Sequence, residues 1–124
     1  MPVTDFNFQN RIFFAVESGV ISGDDAKDWA KRLVECTQTS EGAVVALVDA
    51  RTVTSVTRPA ERIFIQASHT DNLLAVVVAT NPIVSLQATT IGILGQRGYT
   101  RVFLTYEEAQ QHAESLVKQY QKRM

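Results

Sequence analysis

The chain has 124 residues, 45% of them hydrophobic and 20% charged, with a formal net charge of −1. That length allows one domain with a single core, and the balanced charge offers neither the basic excess of a nucleic-acid binder nor an acidic disordered tail. One cysteine, Cys36, excludes an internal disulfide and a cysteine-based zinc cluster within one chain.

The opening MPVTDFNFQN has no basic start and no apolar core of a signal peptide, so a reducing, cytoplasmic setting is expected. Phe6 and Phe8 alternate with polar residues, and Ile12 to Val16 form a β-branched and aromatic run. Asn10 between them predicts a short hairpin. Gly19 and Gly23 are expected to break the chain. Ser22 then reads as an N-cap, with Asp24 and Asp25 in the first helical turn, where the helix dipole favours carboxylates. Ala26, Trp29, Ala30, Leu33 and Val34 form one helical stripe, and Asp28 with Arg32 forms an i,i+4 pair on the polar side.

Ala43–Val48 is a continuous apolar run, expected of a strand covered on both faces. A polar loop, Asp49 to Arg58, is predicted after it. Pro59 suits the first turn of a second helix with the stripe Ala60, Ile63, Phe64 and Ala67. Leu73–Ala79 reads as another buried strand. It lies in the most unusual stretch of the chain: from Asn72 to Gln96 no side chain is charged. The apolar run is too short to span a bilayer, and Asn81-Pro82 interrupts the chain just beyond it, so no membrane span is expected. Pro82 starts a helix without a charged solvent stripe, ended by Gly95 and Gly98. Its apolar residues fall into two families, one with Ile83, Leu86 and Leu94 and the other with Val84, Ala88 and Ile91, with Ile93 nearby. One family can face the sheet and the other needs a cover. The simplest cover is a second copy of the chain, with Ile83, Leu86, Thr90 and Ile93 in the interface. Arg101–Leu104 is a short strand, and Thr105 with Glu108 is a T-x-x-E signature for a last helix carrying Ala109, Ala113, Leu116, Val117 and Tyr120.

The order β-β-α-β-α-β-α-β-α with short links predicts a single-domain α/β fold, a mixed, mostly parallel sheet of four to five strands with flanking helices. Leu47, Val77, Trp29 and Phe103 are the expected core positions most sensitive to truncation.

Ligands of open α/β sheets sit outside the carboxyl ends of the strands. The residues there are Asp49 and Arg51, where Arg51 is either an anion clamp oriented by Asp49 or simply its ion-pair partner. Thr54, Ser55 and Thr57 cluster with Arg58 before the second helix. A phosphate on one of these hydroxyls would meet a positive helix end; the plainer reading is helix capping. His69 and His112 have no acidic or cysteine partners at ligand spacing, so no metal site is expected. Cys36 reads as a small packing residue rather than a nucleophile. No phosphate-loop, dinucleotide, G-x-S-x-G or H-E-x-x-H motif is present, so neither a cofactor nor catalysis is expected.

Four stretches, NRIFFAVESGVISGDDAKDW, VVALVDARTVT, LLAVVVATNPIVSL and RVFLTYEEAQQHAESL, together make the chain resemble the STAS-like (SpoIIAA-like) family. These are small bacterial α/β domains related to anti-sigma factor antagonists. The resemblance implies a sheet flanked by helices and a regulatory or protein-binding role more often than catalysis. The phosphorylated antagonists carry an Asp-Ser pair and a following Gly at the start of the second helix; the matching place here, about Thr57-Arg58-Pro59, lacks the serine. The leading expectation is therefore a non-enzymatic, self-associating interaction module, a homodimer with room for a further protein partner. The alternative is a domain binding a small apolar or anionic ligand, or a lipid, near Arg51. No nucleic-acid partner is expected.

Overall fold

The computed structural model describes residues 3–85 and 99–122. Five strands and three helices follow in the order β1 (Val3–Gln9), β2 (Ile12–Ile21), α1 (Gly23–Thr39), β3 (Val44–Val56), α2 (Arg58–Ala67), β4 (Leu73–Ala79), β5 (Tyr99–Phe103) and α3 (Tyr106–Lys122). The strands form one sheet in sequence order, β1-β2-β3-β4-β5, with β1 antiparallel to β2 and every other neighbouring pair parallel. The mixed, mostly parallel sheet and its antiparallel edge match the sequence expectation.

The hairpin between β1 and β2 pairs Gln9 with Ile12 across a two-residue loop, Asn10-Arg11. Both loop residues have positive φ, 52° and 63°, the backbone that a tight hairpin turn compatible with strand twist requires. Gly19 does not break the chain as expected. It sits at φ +65° inside β2, where the register with β3 shifts, and the strand continues to Ile21. A glycine supplies this backbone without steric cost, so it permits an irregularity in the strand instead of an end.

Ser22 caps α1 as predicted. Its hydroxyl accepts from the Asp25 amide, and the Asp25 carboxylate accepts in return from the Ser22 amide at 2.9 Å. At the far end of this unit Asn72, at φ 67°, donates to the carbonyls of Thr37 (3.0 Å) and Gly42 (3.1 Å). One amide thereby ties the end of α1 and the approach to β3 to the start of β4.

The largest departure concerns β3. It runs thirteen residues to Val56, so the predicted loop from Asp49 is for the most part strand. The β-branched residues Thr52, Val53 and Thr54 favour extended backbone, and β2 is long enough to pair with them, up to Ile21 opposite Val56. On the other side β4 ends at Ala79, opposite Asp49, so the second half of β3 overhangs it.

Alternation along β3 divides the core. Val44, Ala46, Val48 and Ala50 join Phe13, Trp29, Leu33 and Ala60 on the face covered by α1 and α2. Val45 and Leu47 join Ala75, Val77, Ala109, Ala113 and Val117 on the face covered by α3. Burial on both faces explains why β3 and β4 read as unbroken apolar runs. Leu47, Val77 and Trp29 are buried as expected. Phe103 is only half-buried, because β5 is the edge strand; its ring lies 5.3 Å from that of His112.

Beyond β4, Val84 is 5% exposed and packs on the α1/α2 face, whereas Ile83 is 77% exposed. At the start of the predicted uncharged helix, then, Val84 turns inward and Ile83 outward. Leu86, Thr90, Ile93 and the rest of the predicted helix to Gly98 lie outside the described residues, as does the side chain of Tyr120.

Candidate functional site

Asp49 and Arg51 point to the α3 face of β3. The Arg51 guanidinium grips the Asp49 carboxylate with two hydrogen bonds of 2.8 Å, Nε to Oδ1 and Nη2 to Oδ2. It lies over the ring of Tyr106, 5.3 Å from its centre. The side-chain bonds from Arg51 hold the Asp49 carboxyl below the usual carboxylate range, against the opposing effect of partial burial. Burial, and next the Asp49 charge, push the Tyr106 hydroxyl upward. Arg51 is 46% exposed, yet a bidentate partner already occupies one edge of its fork. An incoming anion would have to compete with Asp49, so the geometry favours the ion-pair reading over a clamp. Arg51→Ala is expected to leave the fold and the melting temperature nearly unchanged, since an exposed pair contributes little.

The hydroxyl cluster is a separate place. Thr54, Ser55 and Arg58 are exposed or half-exposed, but mostly extended chain separates Arg51 from Thr57, about 20 Å by strand rise. Thr57 Oγ1 accepts from the Ala60 amide (3.4 Å) and donates to the Ile21 carbonyl (3.1 Å). It caps α2 and joins it to the end of β2, and a phosphate on Oγ1 would remove the hydrogen that it donates to Ile21.

His69 lies in the turn just past α2, and His112 is on α3. Among the described residues no group of three potential ligands could hold a metal ion. Cys36 is half-buried, and burial, followed by the Glu35 charge, pushes its thiol upward, away from the reactive thiolate.

Sequence reasoning missed two residues. Asn81, just past β4, uses its whole side chain. Nδ2 donates to the carbonyls of Arg51 (2.8 Å) and Val53 (2.9 Å) on the β3 overhang, and Oδ1 accepts from the amides of Ile83 (2.9 Å) and Val84 (3.2 Å). The Asn-Pro step signalled a turn but not a cross-strand tie. Asn81→Ala is expected to lower stability by about 1–3 kcal/mol in urea denaturation, because four backbone groups lose their partner. Glu17 is the second. It succeeds Phe13 and Ala15 on the buried face of β2 and is 6% exposed. Burial, with the Asp25 charge adding, raises its carboxyl to about 8. The period of two, continued through Phe13, Ala15 and Glu17, was the available signal.

At the carboxyl edge, then, the Arg51 backbone is tied through Asn81 to a turn presenting Ile83. Leu104, 60% exposed, comes immediately after β5 beside it, for the Thr80 amide donates to the Phe103 carbonyl at 2.8 Å.

No protein-family model and no curated protein matches the sequence. Among solved structures, the chain is similar to an uncharacterised protein of the DUF3478 family from Shewanella loihica PV-4, described as having a SpoIIAA-like fold. The two share 13% identity with a TM-score of 0.65, over 90% of this chain and 93% of that one. The fold is SpoIIAA-like.

Proposed function

We propose that the chain is a non-enzymatic interaction module that associates with a second copy of itself through the carboxyl edge of the sheet. The observation that carries this reading is Ile83, a large apolar side chain 77% exposed on a turn that Asn81 holds through the Ile83 and Val84 amides. A backbone held in place before contact has less freedom to lose when its side chain is covered. Leu104 is a second exposed apolar side chain at this edge, the Asn72–Gln96 stretch carries no charge of its own, and the nearby charges of Asp49 and Arg51 already pair with each other. The SpoIIAA-like fold supports a binding role over catalysis by analogy alone.

Analytical ultracentrifugation tests the reading. The unaltered protein should sediment as a dimer at high micromolar concentration. Ile83→Glu should shift it to monomer with an unchanged circular dichroism spectrum, because an unpaired carboxylate would be buried at the contact. A protein that sediments as a monomer throughout that range does not use this surface for itself.

A further inference from the structure

On the opposite face of the sheet from Arg51, a cavity of about 80 Å³ lies between the sheet and the α1/α2 layer, with Val48, Val76, Val78 and Phe64 among its apolar walls. Its polar lining includes Glu17 from β2, Trp29 from α1 and Thr80 at the end of β4. Trp29 and Thr80 are 2% and 1% exposed, and neither the indole Nε1 nor the hydroxyl Oγ1 has a hydrogen-bonding partner among the described residues. Buried donors of this kind are ordinarily satisfied. Two such donors on residues that line one apolar cavity mark a place for an acceptor.

We propose that this cavity binds a small uncharged carbonyl compound, its oxygen accepting from Trp29 Nε1 and Thr80 Oγ1 and its apolar body lying against Val48, Val76 and Phe64. A carbonyl oxygen has the two lone pairs that two donors call for. The ligand is uncharged because no cationic side chain is among the described lining residues, so a buried anion would be unpaired. Glu17, whose carboxyl burial favours in its neutral form, does not repel the carbonyl dipole. Size narrows the class further. The volume exceeds what one water needs and is about half that of an engineered cavity of roughly 150 Å³ that takes benzene, which fits a molecule of four or five heavy atoms. The site shares no residue with the Ile83 surface, so it stands or falls separately from the association proposed above.

Trp29 is the only tryptophan, so its indole N–H gives a single signal in a nitrogen-15 correlation spectrum and reports on the cavity directly. The probes are butanone and 2-methyl-1-butene, which has nearly the same shape and no oxygen. Butanone should move the indole signal downfield along a saturating curve, with an affinity at least about fivefold above that of the hydrocarbon, the equivalent of one hydrogen bond. Thr80→Val should remove that advantage while leaving hydrocarbon binding unchanged. Should Thr80→Val not fold, the comparison of the two probes on the unaltered protein decides alone. Equal affinities overturn the proposal. So does an indole signal that stays put to the solubility limit, or one whose exchange with water persists through the titration, which would show a cavity that holds water only.

Discussion

Replacing Glu17 by Gln is expected to flatten the pH dependence of stability between about pH 5 and pH 8. In the folded chain burial holds the Glu17 carboxyl neutral up to about 8, whereas an unfolded carboxyl ionises near its ordinary value of 4.5. Between these two values the unfolded chain binds fewer protons than the folded one. The stabilising contribution is therefore complete below the unfolded value and is lost as pH rises through the folded value, at close to 1.4 kcal/mol per pH unit. The loss should total on the order of 3–5 kcal/mol by pH 8. His112, whose partial burial lowers its pKa, acts in the opposite sense: its neutral folded form costs stability only as pH falls, and its partial exposure keeps the effect small. Urea denaturation of both proteins at pH 5 and pH 8 measures the difference. Parallel slopes in the two proteins would show that the carboxylate finds water in the folded state.

Trp29→Ala should cost about 3–5 kcal/mol. The indole is 2% exposed and joins α1 to both the sheet and α2. Its ring centre is 6.0 Å from that of Phe13 and 5.5 Å, edge to face, from that of Phe64. Because the ring already borders a cavity, its neighbours have little means of closing the space it leaves, which places the expected cost towards the upper end. Trp29→Phe should cost much less. It keeps most of the aromatic contact, and the indole N–H it removes has no partner among the described residues to strand. Equal losses for the two variants in chemical denaturation would mean that the ring does not bridge these elements.

These residues also mark which parts of the fold were legible from the chain alone. Local rules were enough wherever a short-range pattern set the structure. Ser22 took the N-cap of α1, Asn10 took the hairpin turn, and Leu73–Ala79 is a strand with those bounds. Reading failed where a distant partner decided. The polar residues after Val48 look like a loop until β2 is seen to be long enough to pair with them. The same length moved Thr57 away from Arg51, so the predicted site separated into an ion pair and a helix cap. Glu17, Trp29 and Thr80 come from three different elements far apart along the chain, and no spacing rule brings those side chains to one cavity. The outward turn of Ile83 was open in the sequence, which allowed either of two apolar families to face in. Asn81 decided it through bonds to a strand much earlier in the chain.

Past Asp49 the outer margin of β3 has no neighbouring strand among the described residues, and an uncovered strand margin is a template on which another chain can align. Asn81 occupies that template. Its single amide group takes the carbonyls of Arg51 and Val53, the two acceptors that a foreign strand would engage first. With both acceptors engaged, that margin offers fewer free groups for another chain to pair with. Asn81→Ala should therefore raise turbidity and fibre-dye binding in stored samples, in addition to the loss of stability already expected of it.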